Sequence, residues 1–541
     1  MDKICEILGI TIKKDLPLPE KSLRNLLKYF LFVTGPGGRA SVSSLFHTDS
    51  ENNIFQAPFK AKRFPRGRVY KDYQDKFLKT LYSKTSLASS QTGSLLASIR
   101  PPGSFGPIKE EDSSIFNSEI LSLVSSGVIV NTENLADKYS VSLEKEDSNE
   151  KVFGGLLTKL LKDGNSIKES VCKVCSELEG SASLALLERN KSSLLLTSNT
   201  GSLYIMESAN LPGLLVFASS KIVLLNLKER ALVFKKDKDY KISQLFAREG
   251  LEVNLEDFSR TKFNLPPLKP FPKKPRKSSE DYYKDLLKRA PREPIDSIDL
   301  KRCTKCVLPE TMPSIKFDEN GVCNFCHNYK KITYAGEEKL KDKLLKYKKK
   351  NGEPDCILAF SGGRDSAYAL HYLKKVLGMN PIAVTYNWGM LDDIGRRNQA
   401  RMVGRLGVEH VVINSNIEKK RSHIKANILA WIKKPHLGMV VLFMAGDKPA
   451  EFWVSRLAKK RAIKPVVLGR GNELENTDFK WNLLGISSGE PGGVMHHMPF
   501  SLKIRFTLNS IKQYIRNPRY FNSAAPEIFF DYLTTYAVRY K

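Results

Sequence analysis

The sequence lacks any run of the roughly 18 consecutive apolar residues that a membrane span needs. The best candidate, Leu211 to Leu227, is interrupted by Lys221 and by several small or polar groups, so no membrane insertion is expected. Met1 to Leu8 carries charges where a secretion signal would have its apolar core, and a cytoplasmic location is expected. No internal repeat is visible. Acidic residues are in short supply, with 58 Asp and Glu against 87 Lys and Arg, a net charge of +29. That excess favours anions in general. Much of it lies in Lys269 to Lys277 and Lys339 to Lys350, which read as solvated linker and helix face. Nucleic acid is therefore not the expected partner.

The chain has 541 residues, enough for two or three domains, and 41% hydrophobic against 27% charged residues fits globular cores. Cysteines number only eight. Cys303, Cys306, Cys323 and Cys326 form two CxxC pairs with sixteen residues between them, the spacing of a four-thiolate zinc site. Such a closed site leaves no coordination position open, so the metal is expected to be structural Zn²⁺. Cys172 and Cys175 read as the face of an amphipathic helix over Ile167 to Leu178, and His327 as a surface histidine. In a cytosolic setting, disulfides are the least expected use of any of them.

Seven prolines between Asn264 and Pro294 mark a semi-rigid linker. The expected division is 1–260, a linker at 261–297, a cysteine knuckle at 298–335 and a further domain at 336–541. The first part reads as short apolar runs (Gly127 to Val130, Ser193 to Thr197, Ser202 to Ile205, Gly213 to Phe217, Ile222 to Leu225) with helices at Ser22 to Phe32 and Glu150 to Leu161. That pattern predicts a layered α+β domain with much antiparallel sheet. The last part alternates instead: strands at Cys356 to Phe360, Pro381 to Trp388, His410 to Asn414 and Pro465 to Gly469, with helices at Ser366 to Leu377 and Gly395 to Leu406. That predicts an α/β doubly wound parallel sheet.

Between the first of those strands and its helix stands Ser361-Gly362-Gly363-Arg364-Asp365-Ser366. Glycines let backbone approach an anion, a helix N-terminus offers free N–H groups, and Arg364 can neutralise phosphate. Ser361 and Ser366 add hydroxyls. Asp365 beside phosphate calls for Mg²⁺ or a backbone donor. The spacing fits neither a Walker loop nor GxGxxG.

The hexapeptide resembles the PP-loop of the ATP pyrophosphatases, which cleave ATP between its α and β phosphates. Around it, Arg302 to Pro309 and Phe317 to Cys326 resemble the zinc-knuckle leader of N-acetyl sugar amidotransferases, as do Gly378 to Pro381 and Gly395 to Asn398. The resemblance covers about Leu300 to Gly485. It implies a PP-loop (adenine nucleotide alpha hydrolase type) fold. It also implies adenylylation of an amide or carboxylate oxygen of an N-acetyl sugar or nucleotide sugar, with ammonia displacing AMP, in lipopolysaccharide O-antigen or nonulosonic-acid biosynthesis. On this reading Ser361 to Ser366 hold ATP with Mg²⁺, and Asp365 and Ser366 serve the chemistry. Of the acidic residues after the last strand, Glu473 and Glu475, the resemblance favours Glu473 as the third catalytic group. Gly485 to Gly493 reads as a flexible loop that could cover the substrate.

The N-terminal part resembles the class II glutamine amidotransferase domain of glucosamine-6-phosphate synthase, which implies an Ntn-hydrolase-like fold. The matching segments are Cys5 to Ile10, Ser98-Ile99-Arg100, Ser125 to Asn131, Gly180 to Ser183 and Ser198 to Leu203. The resemblance makes Cys5 the nucleophile and Arg100 the grip on the glutamine carboxylate. Yet that chemistry uses a cysteine whose own α-amino group is the base. Cys5 is preceded by four residues, Glu6 replaces a small neighbour, and Ser126 stands where an oxyanion-binding asparagine belongs. A degenerate domain is therefore expected, with free ammonia or a separate glutaminase subunit supplying nitrogen; a homodimer is an open expectation. Three other readings stay open: a PP-loop tRNA-modifying enzyme, an asparagine-synthetase-like amidotransferase, and a non-catalytic assembly protein.

Overall fold

Three sheets carry the described chain, two antiparallel and one parallel. The computed structural model describes residues 6–13, 41–48, 59–60, 93–100, 115–142, 148–188, 191–269 except 236 and 238, 300–312, 315–329, 334–389, 391–414, 417–433 and 453–469, with single positions in 16–29 and 501–518. Cys5, Glu473, Glu475, the loop Gly485 to Gly493 and most of Ser22 to Phe32 lie outside the described residues.

The N-terminal strands are β1 (Glu6–Ile12), β2 (Ser41–Thr48), β3 (Phe59–Lys60), β4 (Gly93–Arg100), β5 (Phe116–Asn117), β6 (Leu121–Ile129) and β7 (Gly180–Glu188). They continue as β8 (Ser193–Ser198), β9 (Leu203–Ser208), β10 (Leu214–Ala218), β11 (Tyr240–Leu245), β12 (Glu249–Asn254) and β13 (Arg260–Asn264). One sheet runs β11-β9-β10-β1-β4-β2-β3 and the other β13-β12-β8-β7-β6-β5. Successive side chains on a strand face opposite ways, and the core follows that rule. Ile7, Ile205 and Phe217 of the first sheet meet Val124, Leu187 and Leu196 of the second. Their neighbours Leu8, Met206 and Val216 turn outward onto helix α4 (Lys221–Arg230). On the far side Leu123, Leu184 and Leu186 pack under α2 (Asn149–Lys162) and α3 (Ile167–Glu177), which follow α1 (Thr132–Tyr139). The result is helix, sheet, sheet, helix, the layered α+β arrangement that the short apolar runs predict. Ser148 and Ser166 cap α2 and α3, the latter in a reciprocal box with Glu169.

Two expectations are corrected here. Ile222 to Leu225 is helix, not strand: Val223, Leu224 and Leu227 recur at helical spacing against the sheet. The linker also begins later than residue 261, because β13 pairs with β12 through Asn264, and Phe263 and Leu265 are buried beneath α3.

The parallel sheet consists of β14 (Cys356–Ala359), β15 (Pro381–Asn387), β16 (Glu409–Asn414) and β17 (Val466–Leu468), ordered β16-β15-β14-β17. Helix α5 (Arg364–His371), prolonged by a π turn at Tyr372–Val376, links β14 to β15. Helix α6 (Asp393–Leu406) links β15 to β16, entered by an Asp392 cap and left through Gly407 at φ 62°. The chain steps outward from β14 through β15 and β16, then returns to β14's other side with β17. That reversal puts a topological switch point at the carboxyl end of β14, where open α/β sheets bind ligands.

The layered domain and the parallel sheet belong to one compact unit, 1–269 with 337–422 and 446–470. Helix α6 lies along β6 and β7. Arg401 Nε donates to Glu179 Oε1 at 2.8 Å and Arg397 to the Val130 carbonyl at 3.2 Å, while a Cβ on Gly404 would collide with the Gly180 carbonyl. Elsewhere on the seam, Arg461 grips both oxygens of Glu409 at 3.0 and 3.1 Å, and the Tyr204 hydroxyl donates to Glu409 at 2.5 Å. With side chains only 4% and 3% exposed, Arg461 and Glu409 form a fully buried pair.

The second unit, 270–336 with 423–445 and 471–541, includes the cysteine knuckle. Two short ribbons, bridged at Arg302–Pro309 and Phe317–Cys323, close over Phe325, Met312, Ile315 and Val322. Among the described residues no helix is long and apolar enough to cross a membrane.

Candidate functional site

The residues Ser361 to Ser366 fall at the switch point. β14 is buried through Leu358, and the chain turns at Gly362, whose φ of 82° favours a residue without a Cβ. Gly363 then caps α5 with no side-chain hydrogen bond to the helix. The first turn of α5 thus presents its N–H groups and the positive end of its dipole to the space in front. An open cleft of about 330 Å³ lies there, lined by Ser361, Gly363, Arg364, Asp365, Ser366 and, from the end of β17, Gly469. A Cβ on Gly469 would stand 3.1 Å from Ser366 Cα, so a larger residue there would need β17 and α5 to part by a few tenths of an ångström.

Hydrogen bonds fix the loop from within. Ser361 Oγ and Ser366 Oγ lie 3.0 Å apart, Ser361 Oγ accepts from the Gly363 N–H at 3.2 Å, and Ser366 Oγ donates to the Gly363 carbonyl at 3.1 Å. Arg364 and Asp365 are the exposed charges of the cleft, with side chains 95% and 61% exposed and 3.3 Å between Nε and Oδ1. The set suits a polyphosphate: N–H groups and a guanidinium for oxygens, and one carboxylate for a divalent cation. Glu473 lies outside the described residues, and its role is untouched by this geometry.

The four knuckle cysteines are brought together, with their sulfurs all within 4.8 Å of one another. The Cys303–Cys326 and Cys306–Cys323 separations are 3.8 and 3.5 Å. A tetrahedron of sulfurs about 2.3 Å from zinc has edges of about 3.8 Å, so the group fits a metal. Burial works against ionising Cys303, but N–H donors of Cys306, Cys323 and Lys305 reverse this and bring its thiol to about 6. Cys326 is pushed up to about 12, by burial and then by the crowding thiols, so a cation is what would let all four ionise together. His327 stands outside the group, paired with Asp318 at 2.7 Å. Cys175 is buried on α3, and burial raises its thiol to about 12, as befits a packing residue.

In the layered domain, Arg100 ends β4, in register with Ser41, and Glu6 pairs with Ile99 beside it. Cys5 lies outside the described residues. Ser126 pairs with Ser183 across β6 and β7, in the register next to Gly127. Asn131 is occupied structurally, bonding the Glu177 carbonyl and the Glu179 N–H at 2.9 and 2.8 Å.

Sequence reasoning overlooked Gln399. It is buried on α6, its Nε2 donates to the Ser361 carbonyl at 2.7 Å, and its side chain lies beneath Gly362. The available signal was a lone amide on a helix face otherwise made of Ala400, Val403 and Gly404. His410 was likewise unremarked; its Nε2 meets Thr385 Oγ1 at 2.9 Å, its ring packs edge-on to Phe360, and burial lowers its pKa to about 4.

No protein-family model matches the chain. An uncharacterized protein of Methanocaldococcus jannaschii is 33% identical over 91 residues, which are 15% of this chain and 31% of that protein. Among solved structures, glutamine phosphoribosylpyrophosphate amidotransferase from B. subtilis, complexed with ADP and GMP, aligns over 48% of this chain and 49% of its own at TM-score 0.34 and 12% identity. The allosteric regulatory enzyme of purine biosynthesis aligns over 76% of this chain and 80% of its own at TM-score 0.33 and 12% identity. A predicted glutamine amidotransferase from Pseudomonas aeruginosa PA01 aligns over 47% of this chain and 98% of its own at TM-score 0.24 and 9% identity. These are slight similarities.

Proposed function

We propose that this protein is an ATP-dependent amidotransferase acting on an N-acetyl sugar or nucleotide sugar. The observation that carries the reading is the open cleft at the carboxyl end of β14, where Ser361, Gly363, Arg364, Asp365 and Ser366 converge at a helix start capped only by a glycine. The α-phosphorus of ATP is attacked by the acetamido or carboxylate oxygen, and the bond to pyrophosphate breaks. Ammonia then adds to the activated carbon and AMP leaves with that oxygen, giving an acetamidino group or an amide. The chain's part is to hold phosphate oxygens on backbone N–H groups and Arg364 and to place Mg²⁺ by Asp365. Glu473 is the proposed further acidic group. Zn²⁺ on Cys303, Cys306, Cys323 and Cys326 holds the knuckle together.

Nitrogen comes as free ammonia or from a separate glutaminase. The layered domain serves as scaffold, because Ser126 stands where the resemblance expects an oxyanion-binding asparagine and Glu6 where it expects a small residue. The test is mass spectrometry of products formed from ATP, an ammonium salt and a panel of nucleotide-linked acetamido sugars. A substrate whose mass falls by about one unit, as oxygen is exchanged for NH, supports the proposal. Modification of tRNA under the same conditions, with every sugar unchanged, overturns it.

A further inference from the structure

Gln399 is a buried amide whose one described hydrogen bond leaves its own helix for the loop that lines the cleft. The bond is short, 2.7 Å from Nε2 to the Ser361 carbonyl, and it comes from the middle of α6. In a trans peptide the carbonyl and the following N–H point opposite ways. Drawing the Ser361 carbonyl toward α6 therefore turns the Gly362 N–H away from it. The same side chain also packs against the turn, since a Cβ on Gly362 would stand 2.6 Å from Gln399 Cγ. Donor and steric floor are thus one residue, and a shorter or branched side chain supplies at most one of them.

The seat of Gln399 is itself fixed. Two residues before it Arg397 bonds the Val130 carbonyl, two after it Arg401 bonds Glu179, and one turn later Gly404 presses on Gly180. All three partners belong to the layered domain, at the ends of β6 and β7. We propose that Gln399 is a positioning residue for the nucleotide loop, aiming the peptide between Ser361 and Gly362 so that its N–H meets a phosphate oxygen. The layered domain is then the abutment against which α6 holds the loop. This gives that domain a role in ATP binding that needs no glutaminase chemistry. The inference rests on the reading of the cleft as an ATP site.

The experiment compares the full-length wild type with Gln399→Met and Gln399→Glu. Methionine keeps length and packing but has no donor; glutamate keeps the shape but opposes a carbonyl with a carboxylate. The readouts are thermal stability, calorimetric affinity for α,β-methylene-ATP with Mg²⁺, and the split between KM for ATP and kcat. Without its donor the half-buried Ser361 carbonyl can turn toward water and take the peptide with it, which is expected to weaken the analogue about tenfold in Gln399→Met, and more in Gln399→Glu. KM for ATP should rise in step while kcat at saturation stays within about threefold. Thermal midpoints should stay close to wild type in Gln399→Met, which serves alone if Gln399→Glu fails to fold. Unchanged affinity in a folded variant overturns the inference, as does a loss of affinity that only follows a loss of stability. Failure of the wild type to bind the analogue at all overturns the ATP reading itself.

Discussion

Two strand ends rich in serine and glycine lie in the same compact unit and do opposite things with the same residue types. At the β7–β8 end Ser183, Ser198 and Thr200 are buried, and their hydroxyls answer one another: Ser183 Oγ to Ser198 Oγ at 2.9 Å, and Ser198 Oγ to the Ser202 N–H at 3.1 Å. At the β14 end the serines brace the loop, while the first turn of α5, Arg364 and Asp365 face an open cleft. Closure turns hydroxyls into structure. An unfilled donor set at a switch point leaves chemistry for a ligand.

Breaking the open end should cost activity and little stability. Asp365→Ala is expected to lower ATP turnover by about 10²-fold or more, the scale of losing a preorganised charge, with the thermal midpoint nearly unchanged. Comparing turnover per folded molecule with the melting curve checks this. The knuckle sharpens the contrast as a third kind of site, four thiols grouped so that they could close on a metal. Purified protein should hold one zinc on Cys303, Cys306, Cys323 and Cys326, and Cys303→Ser or a strong chelator should unfold the knuckle. Metal analysis together with thiol titration decides it, and four freely titrating thiols without zinc would speak against it.

The closed end should behave in reverse. Ser198→Ala leaves buried N–H groups and a hydroxyl unanswered and should cost about 1–3 kcal/mol of stability, with ATP turnover per folded molecule unchanged. Denaturant unfolding alongside the turnover assay would show it. The smallest effect is expected at Cys5. Cys5→Ala should leave ammonia-driven turnover intact, and glutamine alone should not support the wild type. If glutamine does support it and Cys5→Ala removes that support, the layered domain is a working glutaminase.

The two ends were not equally legible in the sequence. Ser361 to Ser366 stood out because a buried strand, two glycines and a helix are contiguous, so five of the six residues lining the cleft fall within one window and Gly469 joins them only in the fold. The layers were legible in the short apolar runs Ser193 to Thr197 and Gly213 to Phe217, which the structure makes β8 and β10. Ile222 to Leu225 misled because four apolar residues suit a strand or a buried helix equally, and only Leu227 and the sheet beneath decide. Tyr204, Glu409 and Arg461 left no trace, since the first is separated from the others by 205 and 257 residues. Gln399 was hidden in the same way: its partner Ser361 is 38 residues upstream, and only the packing of α6 beneath the loop joins them.

The central claim is that the open cleft binds ATP and that the chain cleaves it between the α and β phosphates. The most direct measurement separates the nucleotide and phosphate products of a single turnover, by ion-exchange chromatography with ³¹P detection, in the presence of ammonium and an acetamido nucleotide sugar. The account predicts AMP and pyrophosphate in equal amounts, both absent with Asp365→Ala. ADP with orthophosphate would contradict it.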